Sequence, residues 1–163
     1  MTSKTVFHSR REFGAYRIGS PAHPLLDGAG AATSDEARWN SRSRYVIYAS
    51  EHYATALLEK AAQLNSIKIP RTLMWVRINI PAGAIMEEVR PEELLNWDAD
   101  YKETSRRFGN RWYDDARSLV LLVPSMAAPR LERNLLINQH HPQFARVTAT
   151  TPESIGCHPR LLV

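Results

Sequence analysis

Three kinds of side chain in this sequence could do chemistry together: arginines in the first third, a lone glutamate on a helical stretch, and a polar group towards the C-terminus. Guanidinium groups grip phosphate oxygens through paired charge-assisted hydrogen bonds. Arg17, after Tyr16, and Arg38, which opens Arg38-Trp39-Asn40, could therefore hold a diphosphate. Taken singly, such arginines are more often surface salt bridges. Glu59 alone reads as a solvated helix carboxylate. Ser125, after Val123-Pro124, stands where a buried strand ends and a side chain can enter a crevice, although serine also caps turns there. Tyr48 reads more readily as core than as a platform for a ligand. Near the C-terminus come Asn138, His140 and His141. Adjacent histidines on an extended strand point to opposite sides, and no HExxH spacing occurs, so no metal site is expected. One histidine could act as acid or base in RNA cleavage. Gly-rich phosphate loops and nucleophile-elbow pentapeptides are absent from the sequence.

The elements that must position these groups follow from periodicity. Gly19 to Ala32, with Pro21, Pro24, Gly28 and Gly30, reads as an ordered loop without regular structure. Tyr45 to Ala49 reads as a strand, with Ser50 capping the next helix and Glu51 near its positive end. From His52 to Asn65, the residues Ala54, Leu57, Leu58, Ala61 and Leu64 recur at helical spacing and predict one buried stripe. Glu59 would lie opposite it among small neighbours, in a bare patch open to a ligand. Thr72 to Ile80 alternates like a strand with one face on the core. Tyr101, Ser105, Phe108 and Trp112 predict a helix over Asp100 to Asp115. Ser118 to Val123 is a continuous apolar run, as in a fully buried strand. Two shorter strands are expected around Asn134 to Ile137 and Phe144 to Thr150.

A chain of 163 residues with 44% hydrophobic content suits a single domain, 1–163. The order of elements predicts an α/β (α+β) fold on a central sheet. No stretch approaches the ~20 apolar residues of a membrane span, and the first residues lack the apolar core of a signal peptide, so a cytoplasmic, membrane-free protein is expected. Cys157 is the single cysteine, which excludes an internal disulfide and a four-ligand thiolate zinc site. The net charge of +4 suits a phosphate-bearing ligand, nucleic acid or an acidic partner without choosing among them.

Taken in order, these motifs resemble the RES domain, a family named for its Arg, Glu and Ser. Tyr16-Arg17-Ile18 is similar to its opening segment, and Leu26 to Ala31 to its small-residue loop. Arg38-Trp39-Asn40 is similar to its RWN motif. Val46-Ile47-Tyr48 followed by Ala56-Leu57-Leu58-Glu59 resembles its strand-then-helix signature. Leu122-Val123-Pro124-Ser125 resembles its VPS motif, and Ile137-Asn138 with His141-Pro142 its LNPxHP segment. Gln139 stands where that segment has proline, and no glycine follows the RWN motif.

The resemblance implies a compact fold like that of ADP-ribosyltransferase toxins. It implies the toxin of a bacterial toxin-antitoxin system, with NAD+ as substrate and an Xre-type antitoxin as partner. Nucleic acid would be met only through that antitoxin, and a homodimer is compatible with the family. Glu59, Arg17 and Ser125 would be catalytic, and Arg17, Arg38, Tyr48, Ser125 and Asn138 would bind NAD+, with no metal. The implied chemistry is cleavage of the nicotinamide-ribose bond by hydrolysis or phosphorolysis. Alternatives are mono-ADP-ribosylation of a protein such as a nucleotide-synthesis enzyme, or an RNA-binding or RNA-cleaving toxin. In this scheme Glu59 stabilises the cationic ribosyl transition state, Arg17 and Arg38 hold the diphosphate, Tyr48 orients nicotinamide, and Ser125 hydrogen-bonds ribose or the amide.

Overall fold

The computed structural model describes residues 5–163. These form one mixed sheet flanked by helices, the α/β arrangement expected. The elements in chain order are β1 (Val6–His8), β2 (Phe13–Gly19), α1 (Ala29–Thr33), β3 (Val46–Ser50), α2 (Tyr53–Gln63), β4 (Met74–Ile80) and β5 (Ile85–Glu88). They continue with α3 (Glu103–Asp114), β6 (Val120–Pro124), β7 (Arg133–Asn138), β8 (Thr148–Ala149) and β9 (Glu153–Ser154). The strands lie in the order β1-β5-β6-β7-β3-β2-β4-β8, and β9 also pairs with β4. Pairing is antiparallel except between β5 and β6.

Burial explains the central order. All five residues of β6 are buried, as a continuous apolar run requires when both faces of a strand are covered. Its neighbour β7 buries Leu135, Leu136 and Ile137 completely. Fully burying each such side chain stabilises the fold by about 1.5–3 kcal/mol. In β4, Val76, Ile78 and Ile80 are buried, and their alternation puts them on one face. The second face of the sheet packs Val46, Leu121, Val123 and Leu136 against Trp39, Trp97, Trp112 and Tyr113. Here α3 approaches the chain so closely that a Cβ at Gly109 would overlap the Trp39 carbonyl oxygen. Glycine at that helix position is explained by backbone approach.

Several local expectations are corrected. The expected apolar stripe of α2 is only partly covered: Leu57 packs against the cluster of Ile18, Ala56, Ile69 and Ile155, but Leu58 is 53% exposed and Leu64 42% exposed, while Thr55 and Ala56 are buried. The inward face runs through Ala56, Glu59, Lys60 and Gln63, the same helical spacing rotated about the axis. It is polar because it lines a cavity rather than a core. Ser50 does not cap α2; His52 occupies the cap position, and the Ser50 hydroxyl serves another purpose. The loop between β2 and β3 contains the short α1. Phe144 begins no strand, because Pro142–Arg146 is a 3-10 helix and only Thr148–Ala149 pairs with β4. Among the described residues no helix is long and apolar enough to cross a membrane.

Candidate active site

The register between β3 and β7 sets Ser50 opposite Asn134, and that between β6 and β7 sets Val123 opposite Asn134. Three adjacent strands thus deliver Ser50, Asn134 and Ser125 to one end of the sheet, under the inward face of α2. The Ser125 hydroxyl donates to Glu59 Oε1 at 2.6 Å, and Asn134 Nδ2 donates to the same oxygen at 2.6 Å. Asn134 is oriented in turn by the Ser50 hydroxyl, which donates to its Oδ1 at 2.7 Å. Ser125 Oγ also accepts from the Ala127 amide at 3.1 Å, which fixes the hydroxyl rotor towards the carboxylate. Glu59 Oε2 takes no hydrogen bond from the described residues.

Above this carboxylate opens a cavity of about 740 Å3, within the ~300–1,000 Å3 common for small-molecule and cofactor sites. Its walls include Tyr16, Arg17, Arg38, Trp39, Tyr48, Ser50, Glu59, Lys60, Gln63, Lys102 and Asn134. Arg17, on β2, donates to the Asp27 carbonyl at 3.0 Å. Burial holds its guanidinium below the ordinary arginine value, partly countered by the Asp27 charge. Arg38 donates to the carbonyls of Trp97 and Ala99 at 3.1 and 2.9 Å. Burial lowers its value too, opposed by Asp98, Asp100 and Glu59, so this cation feels the carboxylate across the cavity. The Ser105 hydroxyl on α3 donates to the Arg38 carbonyl, and Lys102 Nζ reaches Glu36 at 2.9 Å. Helix α3 therefore pins the 36–39 segment that forms one wall.

Tyr48 lines the cavity with its ring, while its hydroxyl is used up: it donates to Asn40 Oδ1 at 2.7 Å and accepts from the Trp39 amide at 3.1 Å. Burial pushes this phenol well above its ordinary value, so it remains neutral. It is a wall that also fixes Arg38-Trp39-Asn40. Ser125 is fully buried beneath Glu59 and is not among the residues that line the cavity; its hydroxyl meets the Glu59 carboxylate.

Asn138 is not brought to the cavity. It sits four residues beyond Asn134, about 13 Å along an extended strand, at the other end of β7. There its Nδ2 donates to the Tyr113 carbonyl and its Oδ1 accepts from the His140 amide. The asparagine at the cavity is Asn134, which sequence reasoning passed over as a strand residue. His140 stacks on Tyr45, and His141 Nδ1 accepts from the Gln143 amide; neither lines the cavity. Gln139, in the place of the family's proline, accepts from the Gly28 amide at 2.7 Å and ties the loop before α1 to the end of β7. Lys60, Gln63 and Lys102 were also passed over. A signal for the first two existed, since 56, 59, 60 and 63 fall on one helix face. Among the described residues no cluster of three or more His, Cys, Asp or Glu could hold a metal ion.

Fold and cavity together define a mixed α/β protein with a cofactor-sized pocket, cationic walls and a carboxylate fixed at its base. The chain belongs to the RES domain family, whose model matches residues 14–159. It is 35% identical over 141 residues to the Prs ADP-ribosylating toxin of Sphingobium sp. (strain YBL2), covering 84% of this chain and 86% of that protein. It is 33% identical over 139 residues to a protein named Toxin Res from Pseudomonas putida, covering 82% of this chain and 93% of the relative. In three dimensions it resembles a chain in the crystal structure of the M. tuberculosis MbcT-MbcA toxin-antitoxin complex, with a TM-score of 0.71 over 91% of this chain and 86% of that one. At 16% identity this last similarity concerns the fold.

Proposed function

We propose that this protein is the toxin of a toxin-antitoxin pair and that it breaks the nicotinamide-ribose bond of NAD+. The observation that carries this reading is the Glu59 carboxylate, held through one oxygen by Ser125 and Asn134 at the base of a cation-walled cavity. When the bond breaks, its electron pair leaves with the nicotinamide ring, whose charged nitrogen becomes neutral. The leaving group needs no proton, so the site needs no general acid. Positive charge develops on the ribose instead, and a fixed anion beside it stabilises the transition state. Glu59 Oε2 faces this task, either through a ribose hydroxyl or by charge alone. Arg17 and Arg38, both lining the cavity, hold the diphosphate, and the Tyr48 ring bounds the nicotinamide end.

The ribosyl carbon is then captured by water, phosphate or a protein side chain. Degradation of NAD+ is the first reading. ADP-ribosylation of a protein is the second, and the name of the Sphingobium relative favours it. An Xre-type antitoxin is the proposed partner.

The test follows NAD+ by chromatography with the purified chain in water, in phosphate and in cell lysate, with Glu59→Ala as control. Nicotinamide release that requires Glu59 supports the reading, and the co-product identifies the acceptor. Intact NAD+ in all three, or release unchanged by Glu59→Ala, overturns it.

A further inference from the structure

Arg17 on β2 and Lys60 on α2 face the same side of the cavity from two different elements. Arg17 reaches only the Asp27 carbonyl, and Lys60 Nζ reaches the Gln63 side-chain oxygen at 2.8 Å. Neither is in a salt bridge among the described residues, although other basic side chains there, such as Arg42, Arg44, Arg117 and Arg133, are paired with carboxylates. Both cations are partly buried, and Lys60 is held below the ordinary lysine range first by burial and then by the Arg17 charge. Two desolvated like charges side by side are costly unless an anion joins them. Nearby, Arg38 is anchored to the Trp97 and Ala99 carbonyls, with Asp98, Asp100 and Glu59 as the carboxylates around it.

We propose that Lys60 and Arg17 together form a diphosphate subsite, with Lys60 binding the substrate and taking no part in bond cleavage. For the identity of the molecule the inference rests on the NAD+ reading above. The chemistry itself asks for any diphosphate ester. Lys60 follows Glu59 directly on α2, so the element that presents the carboxylate to the ribose also presents a cation to the neighbouring diphosphate. Lys60 adds to the grip of the arginines on the phosphates, while Glu59 serves the sugar. Gln63, one turn on, holds the ammonium towards the cavity through its side-chain oxygen.

The subsite is tested without turnover by titrating ADP and, separately, inorganic pyrophosphate into the full chain and into Lys60→Met, Lys60→Arg and Glu59→Gln. Lys60→Met should weaken both ligands roughly tenfold or more, the loss expected for one charge-assisted contact. Lys60→Arg should restore most of the affinity, and Glu59→Gln should leave it unreduced. In turnover, Lys60→Met should raise KM for NAD+ by a similar factor and leave kcat within about twofold. Thermal melting separates lost binding from lost folding, and the Lys60→Arg variant preserves the test if Lys60→Met unfolds. Unchanged ADP and pyrophosphate affinity in folded Lys60→Met overturns the subsite, as does an equal fall in kcat. If the parent leaves NAD+ intact yet binds ADP through Lys60, the diphosphate subsite stands and the proposed reaction falls.

Discussion

The Ser125 hydroxyl at the end of β6 donates to the Glu59 carboxylate on α2 at 2.6 Å, so a strand terminus sets the aim of a helix side chain. The bond holds one carboxylate oxygen and leaves the other unbonded among the described residues, the arrangement the proposed reaction requires. Ser125→Ala should lower kcat for nicotinamide release roughly tenfold, the worth of one hydrogen bond to a charged group, with KM little changed. Glu59→Gln should cost about a hundredfold or more. Steady-state kinetics on both variants checks the ratio.

Asn134 shares the same oxygen, and that makes its charge state informative. Asn134→Asp places a second carboxylate within hydrogen-bond reach of Glu59. Two such groups cannot both ionise readily, so one titrates higher. If activity needs ionised Glu59, the acidic limb of the pH-rate profile should move to higher pH by about one unit or more. Recording kcat/KM against pH for parent and variant reads the shift.

Gly109 and Gly30 contrast two glycines in helices. Gly109→Ala forces α3 away from the Trp39 carbonyl and should destabilise the protein by about 1–3 kcal/mol. Gly30 has open space around its Cα, so Gly30→Ala should be neutral or stabilise by up to about 1 kcal/mol. Denaturant midpoints compare the two.

Arg17 is a largely desolvated cation at the proposed diphosphate position, and its removal should separate stability from binding. Arg17→Met retains the length of the stem and removes the charge, at the cost of the bond to the Asp27 carbonyl. Stability should stay within about 1 kcal/mol of the parent or rise, while KM for NAD+ rises. Melting and kinetics on the same preparation test both halves.

His141 should make the fold sensitive to acid. Burial lowers its folded value below the ordinary histidine range, while in the unfolded chain it titrates normally at about 6.5. Between those two values the unfolded chain binds more protons, so this group's contribution to stability falls as pH drops below about 6.5 and levels off below the folded value. His141 caps the 3-10 helix by accepting from the Gln143 amide. His141→Asn keeps an acceptor at that cap and should flatten the loss, as measured by melting temperature between pH 7 and 5.

What was legible in the sequence divides along physical lines. The buried strands β4, β6 and β7 were readable because continuous or alternating apolar runs leave little choice of structure. The face of α2 was misread because an apolar stripe is the usual mark of the buried side, and here the inward side lines a polar cavity. Leu58 and Leu64 won the pattern, while Ala56, Glu59, Lys60 and Gln63 won the structure. Motif order pointed to Ser125, yet its service to Glu59 depends on where β6 ends relative to α2. Asn138 and Asn134 are the same residue type on one strand, and only strand register tells which end meets the cavity. The Tyr48 hydroxyl bonds Asn40 and the Trp39 amide, a pairing between separate segments that no local pattern encodes.

The central position of β3 between β2 and β7 bears on protein synthesis. A growing chain carries Arg17, Arg38, Glu59 and Lys60 out of the ribosome long before it carries Ser125 and Asn134. Until β7 emerges, β3 lacks one of its two neighbours, and Glu59 has neither donor to aim it. An incomplete nascent chain thus holds the cavity's cations and the carboxylate without the frame that brings them together. The frame that aims the carboxylate is therefore completed after the residue it aims, and a chain that stops short of β7 cannot assemble this arrangement.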